Sequence, residues 1–408
     1  MGGARTVSDS LLVFTIVLLL VPGGIPAVNG RTNPLRVEVA LDAQPALGGA
    51  SSSPPLGPRT PIFLYGNLVD LVVDPVRPRA YVADQLNNRV YALDLDNGTV
   101  LASIPVRAGP TALAIRPSGD LLYVGHGSNR SILSIDLASL TVVQTLETTF
   151  LTWEMVAPGM TNLVATTHDD QWSGEYPYVL NASSGAVVQR LCWSQLACNK
   201  FYQDTLVALS ADGSWLFLAD SLGYPTALYS YQSGVYGTWS YVGDNYGPGW
   251  GLSGGAKDMA VSPDGQYLFL ASESRSLLKL RTSDFTLVQR FGSYRESSAV
   301  AVSSSGNRVA MSAGDAAIHV FDDLGTPLWN ISMTASVTRL RLTPNGDRYV
   351  AITAGWNVEI VSGSPPRPPS RPLSGIAGTW LLYGALVAAT TEGLVLAFFM
   401  LRQRRRAS

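Results

Sequence analysis

Three histidines occur in the 408 residues of the chain, and two of them fall at matching places. His126 stands in "LLYVGHGSNRS" and His168 in "NLVATTHDDQW", each at the end of an apolar run. Asp84 closes "RAYVAD" and Asp220 closes "WLFLAD" in the same way, so an Asp, His, His, Asp series recurs along the chain. Imidazole and carboxylate groups are the ones that ligate a metal ion or carry a proton near neutral pH, and Asp169 and Asp170 would add to such a set. Each of these residues also has a structural reading, because a polar side chain at a strand end accepts hydrogen bonds from the amides of the following turn. No HExxH stands beside them, and no Gly-x-Ser-x-Gly, phosphate-loop or dinucleotide pattern occurs in a supporting context. Neither a metal nor a cofactor is therefore expected, and nucleophilic catalysis has no support.

The elements that would position these residues form a repeat. A turn recurs as "RPSGD" at 116, "APGMT" at 157, "SADGS" at 210, "SPDGQ" at 262, "SSSGN" at 303 and "TPNGD" at 343. The turn glycines are Gly119, Gly159, Gly213, Gly265, Gly306 and Gly346, suited to the positive φ of a tight hairpin. After each turn comes an apolar strand: "LLYVGH", "NLVATTH", "WLFLAD", "YLFLAS", "RVAMS" and "RYVAIT", with an earlier copy in "RAYVAD" at 79. Further strands follow, as in "RVYALDLDNGTVLASI", "SILSIDLASLTVVQTL" and "LLKLRTSDFTLVQRF". Seven units of about 40 residues with four short strands each are the signature of a β-propeller. The stretch "AYVADQLNNRVYALDLDNGTVLASIPVRAGPTALAIRPSGDLLYVGH" resembles the YVTN-type repeat of lactonase-like, seven-bladed propellers, best over 67–150 and 255–325. The resemblance implies fold more than function, since propellers host binding, scaffolding and several chemistries.

Ring closure needs a strand from the other end of the repeat. After "WNVEIVSG" the chain enters "SPPRPPSRP", which cannot donate ladder hydrogen bonds, so the last blade lacks its outer strand. Residues 57–63, "GPRTPIF", lie 42 positions before "TVLASIP" and are the candidate for it.

In such a propeller the residues ending the second strands lie on the face to which ligands generally bind. Asp84, His126, His168 and Asp220 would occupy one arc of that face, although blades splay apart there. His319, inside a strand, is read as packed or superficial. Two long spacings mark elaboration. The first holds Cys192 and Cys198, the only cysteines, placed to close a loop as a disulfide. The second holds "LYSYQSGVYGTWSYV", a hairpin pattern, followed by Tyr246 and Trp250 in a Gly-rich stretch that would present aromatics for a protein or glycan partner.

The ends point to a membrane. Residues 1–30 carry Arg5, an apolar run from Leu11 to Val21 and small residues, which suits a cleaved secretory signal, with an uncleaved anchor as the alternative. Residues 31–56 form an extension without an evident role, 57–363 the propeller and 364–375 a Pro-rich linker. Residues 376–401 read as a transmembrane helix, with Glu392 inside the span as a partner-facing or protonated carboxylate. The tail 402–408, with Arg402, Arg404, Arg405 and Arg406, is expected on the cytoplasmic side. Asn97, Asn129, Asn181 and Asn330 open N-glycosylation sequons. A net charge of -2 argues against nucleic-acid binding. The expectation is an all-β, seven-bladed propeller on the extracellular side of a cell membrane, held by a single pass and acting as a non-catalytic ligand- or protein-binding surface scaffold. The alternative is an extracellular lactonase-like hydrolase or lyase using the His/Asp arc.

Overall fold

The computed structural model describes residues 59–167, 176–192, 201, 204–219, 226–246 and 255–363. They form seven sheets of four antiparallel strands. From the innermost strand outward, blade 1 comprises Leu68–Val73, Arg79–Asp84, Arg89–Asp94 and Thr99–Pro105. Blade 2 comprises Pro110–Ile115, Leu121–His126, Ser131–Asp136 and Thr141–Glu147. Blade 3 holds Thr152–Val156, Asn162–Thr167, Tyr178–Asn181 and Val187–Arg190, and blade 4 holds Leu206–Leu209, Trp215–Ala219, Ala227–Ser233 and Trp239–Tyr246. Blade 5 holds Ala256–Val261, Tyr267–Ser272, Arg275–Arg281 and Leu287–Phe291. Blade 6 holds Ala299–Val302, Arg308–Ser312, Ala317–Asp322 and Pro327–Ser332. In blade 7, Val337–Leu342, Arg348–Thr353 and Asn357–Ser362 are completed by Arg59–Phe63 from the other end of the sequence.

Each innermost strand packs against those of its two neighbours, and the seventh packs against the first, so the sheets close into a ring. The fold is a seven-bladed β-propeller.

The apolar second strands follow from this arrangement. Each is covered on both faces by adjacent blades, so residues of both parities are buried, as along Arg79–Asp84 and Asn162–Thr167. Outer strands meet solvent, and Thr141–Glu147 buries only Leu146. The core accordingly divides into seven apolar clusters, one for each contact between neighbouring blades. At the closing contact Ile62 and Leu64 pack with Leu71, Val82 and Val350.

Closure uses the expected stretch. Arg59 pairs with Val361 and Phe63 with Asn357, antiparallel along the last strand. Pro61 is tolerated because this strand is the sheet's outer edge. Of the six turn glycines, five adopt positive φ, from 67° at Gly119 to 73° at Gly306; Gly159 does not, so the turn of blade 3 is built differently.

Among the described residues no helix is long and apolar enough to cross a membrane. The expected signal at 1–30, the extension 31–56, the linker, the span 376–401 with Glu392, and the tail lie outside the described residues.

Candidate functional site

Below, the upper face is the one where the second strands end, and the lower face carries the glycine turns. Asp84 ends the second strand of blade 1 and is fully buried. Its Oδ1 accepts hydrogen bonds from the backbone N–H groups of Asn67, Leu86 and Asn87, each at 3.1 Å. Its Oδ2 accepts from Asn87 Nδ2 at 2.7 Å and Tyr91 Oη at 3.4 Å. One carboxylate thus holds the loop leading into the blade together with the loop following the strand.

His126 is also fully buried. Its Nδ1 lies 2.9 Å from the Ser131 carbonyl oxygen, which fixes the ring and the tautomer that donates from Nδ1. Burial pushes its pKa down, the nearby Arg107 adds to this, and the Ser131 carbonyl opposes it. Neutral His126 is therefore a brace across its own hairpin. Its Nε2, Ser131 Oγ and Thr152 Oγ1 have no hydrogen-bond partner among the described residues.

The register of blade 3 matters for His168. The second strand ends at Thr167, which stands opposite Thr152 as Asp84 stands opposite Leu68 and His126 opposite Pro110. Thr167 is thus the counterpart of Asp84 and His126, one residue before His168. His168, Asp169, Asp220 and Trp250 lie outside the described residues, and of Tyr246 only the backbone, at the end of an outer strand, is described. Cys192 follows the outer strand of blade 3, and Cys198 lies outside the described residues. Tyr229, Tyr231 and Trp239 of the aromatic-rich stretch are core residues between blades 3 and 4.

Asn97 and Asn330 are exposed, and Asn129 and Asn181 half-exposed. Asn181 Oδ1 accepts from the Ser183 and Ser184 N–H groups. His319 is buried, its Nδ1 2.9 Å from Tyr294 Oη and 3.0 Å from Asn330 Oδ1, its Nε2 3.0 Å from Asp315.

A second constellation lines the central channel. Asp70, Asp258 and Arg339 occupy the same register step of their innermost strands, opposite Ala83, Ala271 and Ile352 just past a bulge. Glu154 sits in the corresponding irregular stretch of blade 3, between Thr152 and Met155. Arg341 follows two residues after Arg339.

The innermost strand of each blade has a free edge toward the channel, and the carboxylates use it. Asp70 accepts from its own neighbour Leu71 N–H at 2.8 Å and from Leu113 N–H of blade 2 at 2.7 Å. Glu154 accepts from Val207 N–H of blade 4 at 3.0 Å, and Asp258 from Met259 N–H at 3.0 Å and Val300 N–H of blade 6 at 3.1 Å. Blades 1, 3 and 5 thereby each clasp the next blade. Blade 7 supplies the cations: Arg341 Nη1 is 3.2 Å from Asp258 Oδ2, and Arg339 Nη2 is 4.0 Å from Glu154 Oε1.

Three carboxylates and two guanidiniums share this space, so one negative charge is uncompensated when all are ionised. Burial pushes Glu154 up to about 7, with Arg339 and the Val207 amide pulling down and Asp70 and Asp258 pushing up. Burial raises Asp70 as well, against the pull of Arg341 and Arg339. For Arg341 burial works against the charge, but Asp258, Asp70 and Glu154 outweigh it and raise its pKa. The cluster can therefore take up a proton near neutrality and holds its side chains in fixed positions. The sequence signal was one or two charges in the otherwise apolar first strands of four blades, "VDLVV", "WEMV", "KDMAV" and "TRLRL".

Many solved structures are similar to this one, and two show the extent of the likeness. Kuenenia stuttgartiensis hydrazine synthase matches with TM-score 0.56 and 13% identity, over 72% of this chain and 95% of that one. The β-propeller domain of Myceliophteria thermophila Cps50 (Swd1) matches with TM-score 0.60 and 14% identity, over 73% and 97%. The likeness is one of fold. No protein-family model matches the chain, and no curated protein matches it.

Proposed function

We propose that the chain is a lactonase-like, YVTN-type propeller carried on the outer surface of a membrane, where it acts as a non-catalytic binding scaffold. The observation that carries the non-catalytic reading is the state of Asp84 and His126. Both are fully buried and engaged with their own loops, which is the work of a strut. A closed ring of seven apolar contacts presents its loops from a rigid base, as a scaffold requires. The outer location rests on the sequence: an apolar leader, the apolar span 376–401 and an arginine tail. In that location Cys192 and Cys198 form a disulfide, and Asn97, exposed in a turn of blade 1, is an accessible glycan acceptor.

Intact cells making the full-length chain with a tag after Ser408 test this. A membrane-impermeant amine reagent should label Lys257, whose side chain is 47% exposed, while the tag should be reached only after permeabilisation. The full chain should retain a stoichiometric partner on chemical cross-linking. A tag accessible on intact cells overturns the topology. Lactone hydrolysis abolished by His126→Gln in a folded chain overturns the scaffold reading in favour of an enzyme.

A further inference from the structure

Blade 7 and the loop into blade 1 carry an aromatic surface that stability does not explain. Ile62 and Leu64 point into the core, so Phe63 and Tyr65 point out, 54% and 74% exposed, with ring centroids 6.1 Å apart at 24°. The N–H of Leu64 donates to the Trp356 carbonyl at 3.5 Å, which brings the 61%-exposed Trp356 alongside. Asn87 Nδ2 donates to the Tyr65 carbonyl at 3.4 Å and ties in the neighbouring loop, where Leu86 is 68% exposed.

Two of these aromatics hold a strained backbone. Tyr65 has φ 51° and Trp356 φ 61°, in the left-handed region where a bulky residue is costly. Elsewhere the strain is recovered locally. Phe285, φ 54°, is 2% exposed in the core, Leu140, φ 56°, packs against a core cluster, and Asn88, φ 51°, accepts the Gly109 N–H at 2.9 Å. Tyr65 and Trp356 bury little, so their gain must come from what covers them.

We propose that the proline-rich segment of this same chain, residues 364–372, docks on the Phe63, Tyr65 and Trp356 surface. In a polyproline II conformation every third residue shares an edge, which aligns Pro366, Pro369 and Pro372 and, beside them, Pro365 and Pro368. Proline edges of that kind dock on exposed aromatic rings at little entropic cost.

The end of the described chain favours this occupant. Gly363 donates its N–H to Asp347 at the lower turn of blade 7, directly after the strand that pairs with Arg59–Phe63. The surface lies at the other end of that pair, about 17–20 Å away for five or six strand residues. Nine polyproline residues span about 28 Å, enough for the segment to turn round the outer strand and bring its far end, from Pro369 to Pro372, to Phe63 and Tyr65. Among the described residues Arg59–Phe63 is the outermost strand of its sheet, and the docked segment would cover its open edge. Tethering raises the segment's local concentration to about the millimolar range, well above a free competitor.

The test uses the full-length chain with Tyr65 replaced by the photoreactive p-benzoylphenylalanine. Irradiation should give adducts mapped to residues 364–372 of the same chain. Their yield should fall at least tenfold when Pro366→Gly, Pro369→Gly and Pro372→Gly are combined. The same probe at Val235, 75% exposed, should give no such adduct. Adducts to lipid, to a second copy or to another protein, a yield unchanged in the triple variant, or no adduct would each overturn the proposal.

Discussion

Glu154 and Arg339 meet across the central channel with 4.0 Å between Oε1 and Nη2, one from blade 3 and the other from blade 7. The pair couples blades that are not neighbours in sequence, and it does so with an acid whose proton is held up to about 7. Between about pH 4.5 and 7 the folded chain keeps a proton that the unfolded chain has released. Stability therefore falls as pH rises through that window, and the penalty is complete above it. Glu154→Gln keeps an oxygen for the Val207 amide and removes the charge. It should raise stability at pH 8 by about 1–3 kcal/mol and flatten the slope between pH 5 and 7. Urea midpoints of both proteins at five pH values check this; a parallel pair of profiles would sink it. A slope of the same sign should persist from Asp70, which burial also raises.

His126 should act in the opposite sense. Its folded pKa is depressed, so the unfolded chain takes the proton more readily, and stability is lost as pH falls below about 6.5, the unfolded value. His126→Gln keeps a donor for the Ser131 carbonyl but cannot titrate, so the loss between pH 7 and 5 should shrink. Measured side by side with Glu154→Gln, the two variants should tilt the profile in opposite directions, which separates titration from a general loss of packing.

The second strands made the ring legible, because burial on both faces turns each into a near-continuous apolar run that repeats in register. The closing strand was legible from spacing, since 57–63 stood one repeat before Thr99–Pro105. The channel was not. A charge such as Asp70 or Glu154 in an apolar first strand looks like an ordinary solvent-facing residue, and only ring closure shows that five such residues from four blades share one space. The Asp/His series was visible, but its meaning depended on which groups the side chains reach. Asp84 reaches three amides of two loops, and the pairing of Thr167 with Thr152 gives the strand-end register of blade 3 to Thr167 instead of His168. Tyr65 and Trp356 gave no signal either, because positive φ at an aromatic follows from tertiary contacts and not from local preference.

The Asp84 contacts make a graded prediction. Asp84→Ala removes every acceptor and leaves the amides of Asn67, Leu86 and Asn87 without their buried partner, a loss of about 3–5 kcal/mol at 1–3 kcal/mol for each unmet group partly relieved by water. Asp84→Asn retains one acceptor oxygen and should cost about 1–2 kcal/mol. Thermal unfolding gives the ranking. Limited proteolysis should locate new cleavage in both Leu64–Asn67 and Gln85–Asn88 for the alanine variant. Cleavage in one loop alone would mean that the carboxylate does not join them.

Ring closure is the strongest test of the architecture. Ile62 is 7% exposed and packs with the blade 1 and blade 7 core, so Ile62→Ala should cost about 2–4 kcal/mol by lost burial and a partly unfilled cavity. Val100, 42% exposed on the outer strand of blade 1, is the control, and Val100→Ala should change stability by under about 0.5 kcal/mol. Deleting Arg59–Phe63 should do more than either. It strips the last blade to three strands and bares the Asn357–Ser362 edge, whose unpaired amides and carbonyls template pairing with another molecule. The deleted chain should therefore unfold at lower urea and elute as oligomers in size exclusion. A monomer of unchanged midpoint would mean that the ring does not depend on its first strand.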